Sequence, residues 1–160
     1  MTRYDQLPAG SMTTLCGVSG SGKTHQCLVY AEAALTRQQP VVWIDGDRNH
    51  TMNTSFCARS KSSLFWGFEP SGFDQAYQLA LAFCRLKHAG LVVIDSLDGL
   101  LPDRFDQQRV LRRSLPKLIG AVYASRSRLV CTVEPIASVR SSALRIYSQT
   151  IISLGVSHVD

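Results

Sequence analysis

Short apolar runs alternate along the chain with longer segments whose apolar residues recur at helical spacing. A short continuous apolar run is typical of a strand that is covered on both faces, as in a parallel sheet. Strands are predicted at 12–16, 41–44, 64–68, 91–94 and 129–133, with one or two more within 146–154. Helices are predicted at 22–37, 73–87 and 105–125. This alternation predicts an α/β fold with a mainly parallel central sheet.

The helix predicted at 105–125 carries the clearest apolar stripe. Its residues Leu111, Leu115, Leu118 and Val122 are spaced by four, three and four positions, which places them on one face of a helix. We expect this face to pack on the sheet. Pro116 lies within the same segment, and because proline lacks a backbone N–H we expect it to kink the helix or split it in two.

Length and composition narrow the class of protein. At 160 residues the chain has the size of one ordinary domain, so we expect a single domain over 1–160. No apolar run approaches the roughly 20 residues of a membrane helix, and the first residues lack a signal-peptide pattern; we expect a cytoplasmic protein.

The five cysteines form no C-x-x-C pair, which favours reduced thiols. A formal charge of +5 permits contact with nucleic acid without requiring it.

One glycine-rich segment, residues 17–24, matches the pattern G-x-x-x-x-G-K-[ST] between a predicted strand and a predicted helix. In such a loop the backbone N–H groups and the helix N-terminus bind phosphate. A glycine-rich turn that happens to precede Lys-Thr is the alternative, and the flanking strand and helix argue against it. The motif predicts ATP and Mg²⁺ as cofactors, with Lys23 on the β- and γ-phosphates and Thr24 on the metal. The residues predicted to line the phosphates are Gly17, Ser19, Gly20, Ser21, Gly22, Lys23 and Thr24.

A second motif lies at 91–95, where four apolar residues end in Asp95. This pattern places a carboxylate at the carboxyl edge of a sheet, near a nucleotide-bound metal. We expect Asp95 to hold Mg²⁺ directly or through water. The alternative, an aspartate that caps a helix after an ordinary strand, is less favoured beside the loop at 17–24.

The segment LVVIDSLDGLLP at 91–102 resembles the RecA-like ATPase core. The segments at 7–11, 44–47 and 142–148 are similar to parts of bacterial recombinases. The resemblance covers nearly the whole chain and implies a RecA-like three-layer sandwich, in which helices flank the sheet. Residues 68–72, together with the predicted helix and strand after them, are also similar to the hexameric packaging ATPases of double-stranded RNA phages. The two relatives remain alternatives.

The resemblance implies roles for further acids. Asp47 occupies the place of a carboxylate, usually Glu in the family, that polarises the attacking water. Asp45 is the reserve candidate, and a solvated pair of acids is the alternative. Glu134 follows the strand 129–133, where relatives carry a polar group that senses the γ-phosphate; it is interpreted as a sensor, a base or neither.

The resemblance also suggests cations that act in a neighbouring subunit. Arg145 matches a trans-acting Lys of recombinases and Arg140 an arginine finger of the packaging motors, so a homo-oligomer, either a hexamer or a filament, is expected. Unpartnered surface arginines are the alternative. A further basic cluster is interpreted as a phosphate-binding face or a solvated helix face. Its members are Arg104, Arg109, Arg112, Arg113, Lys117, Arg126 and Arg128.

These observations give two main hypotheses. The first is a RecA-like P-loop ATPase that hydrolyses ATP in an oligomer and acts on single-stranded DNA or RNA as a motor, packaging or recombination-related factor. The second is an ATP-dependent protein-interaction module with slow or no hydrolysis and no direct role on nucleic acid. Three features favour the second: the short Asp47, the carboxylate of Glu134, and the roughly eight residues between Glu134 and Ala143, where recombinases carry a long DNA-binding loop. A third is an assembly subunit of a larger motor.

Overall fold

The computed structural model describes residues 3–48, 63–86, 90–101, 104–135, 144 and 148–155, with only the backbone of 104–110. These residues contain six strands and three α-helices, preceded by a 3₁₀ turn at Tyr4–Gln6. The strands are β1 (Ser11–Cys16), β2 (Val41–Asp45), β3 (Phe65–Phe68), β4 (Leu91–Asp95), β5 (Arg128–Val133) and β6 (Thr150–Ser153). The helices are α1 (Lys23–Thr36), α2 (Phe73–Leu86) and α3 (Arg104–Ser125).

All six strands form one parallel sheet in the order β3-β2-β4-β5-β1-β6. Parallel strands place all their carboxyl ends at one edge, where ligands bind in open α/β sheets. In this order β5 separates β1 from β4, and Asp45 at the end of β2 pairs with Asp95 at the end of β4. The loops that follow β1, β2, β4 and β5 therefore meet at a common edge.

Two apolar cores lie on opposite faces of the sheet. Trp43 and Val93 pack with Tyr30 and Ala34 of α1 on one face. Ile44 and the neighbouring strand residues pack with α2 and α3 on the other. Because every second residue of a strand points to the same face, strands that are buried on both sides need the continuous apolar runs seen in the sequence. The predicted three layers and parallel sheet are present.

The apolar stripe of α3 lies against the sheet as predicted. Leu111, Leu115, Leu118 and Val122 are all essentially buried. Pro116 does not split the segment, because one helix runs through it. The loss of a single backbone bond at a proline is offset here by the burial of the stripe on both sides of it.

The last predicted strand region, 146–154, was expected to supply one or two strands. Within the described residues, 146–154 contributes one strand, β6, which pairs with β1.

Trp43 lies in the core, and the half-buried Trp66 packs edge-on against Phe83 at a ring separation of 6.3 Å. In the described parts of the chain, no helix has both the length and the apolar character needed to cross a bilayer.

The stripe on α3 makes a testable contribution to stability. Leu118 is fully buried, whereas Leu86 at the end of α2 is 76% exposed. We expect Leu118→Ala to lower the free energy of unfolding by about 2–5 kcal/mol, because it leaves a cavity in the core. Urea denaturation followed by circular dichroism measures this loss. The matched Leu86→Ala variant should differ from the wild type by less than about 0.5 kcal/mol, and equal losses in both variants would contradict the packing described for α3.

Candidate nucleotide-binding site

The segment between β1 and α1, which we call the phosphate loop (residues 17–24), has a backbone that requires glycine. Gly20 and Gly22 have φ angles of +79° and +86°, which other residues rarely adopt. The loop is fixed at its start, where the Gly17 N–H donates to Val133 O at 3.2 Å. No side chain caps the N-terminus of α1 at Gly22, so its first N–H groups are available to an anion.

Lys23, the first residue of α1, folds back over the phosphate loop. Its Nζ donates to Gly17 O at 2.5 Å and to Val18 O at 2.9 Å. An ammonium group has three N–H donors, so these two bonds fix its position and leave one donor for a ligand. The arrangement presents a positive charge at the mouth of the loop.

Asp95 is the buried carboxylate of the site, with 9% of its surface exposed. Thr132 Oγ1 on β5 donates to Asp95 Oδ1 at 2.5 Å, and the Thr24 hydroxyl is a second partner. Burial raises the pKa of Asp95, and the charges of Asp47 and Asp45 raise it further, while the two threonine hydrogen bonds oppose the shift. A carboxylate with a perturbed pKa in a cleft is typical of a functional site.

The two acids at the end of β2 and in the turn after it lie in different surroundings. Asp45 is buried, and Asp47 is exposed at the cleft. The Ser96 hydroxyl donates to Asp47 Oδ1 at 2.6 Å, and the Gly99 N–H donates to Ser96 Oγ at 3.1 Å. Only Asp47 of the two predicted acids therefore borders the cleft.

The end of β5 connects the parts of the site. Its residue Val133 accepts the bond from Gly17 in the phosphate loop. Thr132 contacts Asp95 through its side chain and accepts the Leu97 N–H at its backbone oxygen at 3.0 Å. Glu134 follows at the surface, where its N–H donates to Asp98 Oδ2 at 2.7 Å.

These groups surround an open cleft of about 580 Å³, within the usual size range of ligand sites. Its lining residues are Ser19, Gly20, Gly22, Lys23, Thr24, Asp47, Asp95, Ser96, Asp98, Gly99 and Glu134. Most of the predicted site residues are thus brought together. Gly17 and Ser21 are not among these lining residues, and they lie against each other, since a Cβ atom on Gly17 would meet the Ser21 side chain.

Sequence reasoning missed four residues of the site: Ser96, Asp98, Gly99 and Thr132. A signal existed for Thr132, because it is a polar residue within the apolar run that forms β5. Ser96 directly follows Asp95, the acid of the second motif. Its hydrogen bond to Asp47 depends on the pairing of β2 with β4, which the sequence did not reveal.

The predicted cations are only partly described. Arg140 and Arg145 lie outside the described residues, as do the side chains of Arg104 and Arg109. Arg128 does not face a ligand, because it lies 4.8 Å from the Tyr4 ring centre and its Nε donates to Leu7 O at 3.0 Å. The exposed members of the cluster are Arg112, Arg113, Lys117 and Arg126.

The donor set fits a metal that arrives with a nucleotide. Among the described residues no group of three or more histidine, cysteine or acidic side chains could hold a metal by itself. Mg²⁺ is commonly bound through one or two protein oxygens together with substrate phosphates and water, and Thr24 and Asp95 provide such oxygens. The buried Ser21 Oγ has no hydrogen-bond partner among the described atoms, as expected of a loop that binds a polar ligand.

The parallel sheet order and the phosphate loop at its carboxyl edge define a RecA-like α/β sandwich with a candidate nucleotide site. Comparison with known proteins agrees. The chain is 26% identical over 137 residues to Protein RecA of Aquifex aeolicus, which covers 78% of this chain and 39% of that protein. It is 27% identical over 138 residues to Protein RecA of Nitratidesulfovibrio vulgaris (strain DP4), with 78% and 38% covered.

A third relative is named as a repair and recombination protein. The DNA repair and recombination protein RadB of Methanococcus maripaludis is 26% identical over 120 residues, covering 69% of this chain and 55% of RadB. No protein-family model matches the chain. The similarity is weak but consistent, and the chain is a distant homologue of the RecA-family recombinases RecA and RadB. It spans between two fifths and just over half of the length of these relatives.

Proposed function

We propose that this protein is a RecA-like P-loop ATPase that binds ATP with Mg²⁺ and hydrolyses it. The main support is the convergence, in one cleft, of Lys23 and Thr24 from the phosphate loop with two acids. These are Asp95 at the end of β4 and Asp47 in the turn after the neighbouring β2. A cation, a hydroxyl, a buried carboxylate and an exposed carboxylate are the groups that phosphoryl transfer requires. The distant homology to RecA and RadB is consistent with this activity.

Each group has a defined task in the proposal. The loop N–H groups and Lys23 hold the β- and γ-phosphates. Thr24 and Asp95 hold Mg²⁺, which on binding neutralises charge on the phosphate oxygens. Asp47 accepts a proton from the attacking water.

The role of Asp47 is tested by Asp47→Asn. Because asparagine keeps the shape but cannot accept the proton, we expect kcat to fall by about 10²-fold or more with ATP affinity little changed. Steady-state ATPase assays and calorimetric titration measure the two quantities. The control is Asp74→Asn, the same exchange at an exposed acid in the first turn of α2. A wild-type rate in Asp47→Asn would remove Asp47 from the reaction.

We further propose that the protein acts on single-stranded DNA or RNA as a homo-oligomer in recombination or repair. The name of the relative RadB favours this process over packaging, and the exposed cations Arg112, Arg113, Lys117 and Arg126 supply positive surface. Single-stranded DNA or RNA should then stimulate ATP turnover, and the binding should weaken with salt. Absence of both stimulation and low-salt binding would leave an ATPase without a nucleic-acid role.

A second candidate is an ATP-dependent interaction module with slow or no hydrolysis. Two observations favour it: Asp47 is shorter than the glutamate of the family, and the carboxylate of Glu134 also lines the cleft, where it would repel a triphosphate. Such a module would bind ATP tightly and turn over no faster than its own Asp47→Asn variant.

A further inference from the structure

Two turns meet beside the cleft. The Asp47 turn (residues 46–48) follows β2, and the Ser96 turn (residues 96–100) follows β4. A chain of hydrogen bonds links them, in which the Gly99 N–H donates to Ser96 Oγ and the Ser96 hydroxyl donates to Asp47 Oδ1. The hydroxyl has one hydrogen, and the bond to Asp47 uses it.

The backbones of the two turns are also in direct contact. A Cβ atom on Gly99 would lie against Gly46 O and 2.5 Å from Asp47 Oδ1. One on Gly46 would lie against Ser96 O. Since Cβ atoms essentially never approach this closely, both positions require glycine unless the turns separate. The paired glycines therefore allow the turns to lie close enough for the hydrogen bonds.

The two side chains differ in exposure. Ser96 is 5% exposed, whereas Asp47 is exposed. A solvent-exposed aspartate without a partner samples several rotamers, and a bond to a buried hydroxyl of fixed position restricts it. The bond engages Oδ1 and leaves Oδ2 to take a proton from water.

We propose that Ser96 is a positioning residue for Asp47 and fixes its carboxylate at the cleft. The inference rests on the proposed function, because it takes Asp47 as the general base. A side chain one methylene shorter than glutamate has less reach, so its carboxylate must be held in a defined place. Ser96, itself oriented by Gly99, provides that restraint.

The kinetic test is Ser96→Ala. We expect kcat to fall by about 10- to 100-fold, the cost of a misplaced catalytic group, with the Kd for ATP within about twofold of wild type. Because Ser96 acts through Asp47, adding Ser96→Ala to Asp47→Asn should cause no further loss. Ser125→Ala is the control, since it removes a buried serine hydroxyl at the end of α3, away from the cleft, and should keep the wild-type rate.

Crystal structures of the wild type and Ser96→Ala provide a readout that does not depend on turnover. The Asp47 carboxylate should move by about 1 Å or more in the variant. An unmoved carboxylate, an unchanged kcat, or an additive loss in the double variant would overturn the positioning role. A wild type that binds ATP without hydrolysing it would instead overturn the proposed function, and the crystal structures would still decide the role of Ser96.

Discussion

Lys23→Ala is expected to weaken ATP binding by about 100-fold or more and to lower kcat/KM by about 10³-fold, because it removes a charge-assisted donor to the phosphates. In the structure Nζ is held over the loop by the carbonyl oxygens of Gly17 and Val18. The fold should survive, since this side chain is only partly buried. Calorimetric titration with ATP and Mg²⁺ measures the affinity.

The control for this variant is Arg37→Ala, which removes a cation just beyond the other end of α1. Arg37 pairs with Asp5 at 2.7 Å, but the two side chains are 43% and 65% exposed, and ion pairs at the surface contribute little to stability. Its ATP affinity should match the wild type. If Lys23→Ala bound ATP as tightly as Arg37→Ala, the phosphate loop would not be the nucleotide site.

Asp95→Asn is expected to lower ATP turnover by about 10³-fold, since a neutral amide is a weak ligand for Mg²⁺ and the metal supplies several kcal/mol of charge stabilisation. ATPase assays over a range of Mg²⁺ concentrations measure the effect. A wild-type rate at low Mg²⁺ would exclude Asp95 as a metal ligand.

The same substitution should stabilise the ligand-free protein. The pKa of Asp95 is raised above 3.8 by burial, so the folded state keeps its proton to higher pH than the unfolded chain. Ionisation at neutral pH therefore lowers the free energy of unfolding. In the presence of a chelator at pH 7, Asp95→Asn should melt at a higher temperature than the wild type, and the difference should shrink as the pH falls towards 4.

Thermal melts of Asp74→Asn provide the comparison, because this exposed acid lies in the first turn of α2 and its loss should not raise Tm. A melting temperature of Asp95→Asn equal to or below that of the wild type at pH 7 would contradict the burial cost of the Asp95 charge. A gain independent of pH would assign the effect to packing instead.

Local sequence patterns were sufficient to predict the strands and helices of this fold. The apolar runs that became β2, β4 and β5 are explained by the cover on both faces of the sheet, and Gly20 and Gly22 of the loop at 17–24 lie where φ is positive. The sheet order could not be predicted in this way, because it depends on crossovers between distant segments. For the same reason the bond from Thr132 to Asp95 was not foreseen.

The two acids near the end of β2 show a second limit of sequence reasoning. Asp45 and Asp47 are two positions apart, and which of them borders the cleft depends on where the strand ends. The structure ends β2 at Asp45, so this acid stays buried in the sheet while Asp47 lies in the following turn. Ser96 was not singled out because its partner comes from another strand.

The end of β5 is hydrogen-bonded to three parts of the site. Val133 O accepts from the phosphate loop, Thr132 O accepts from the turn after β4, and Thr132 Oγ1 donates to the buried Asp95. These bonds measure 3.2, 3.0 and 2.5 Å, and a shift of β5 by about 1 Å along the strand would lengthen or misalign all three. The position of this one strand end therefore sets the spacing between the phosphate loop on one side and Asp95 with the turn after β4 on the other. A displacement of the end of β5 would therefore change the geometry at both the phosphate loop and Asp95.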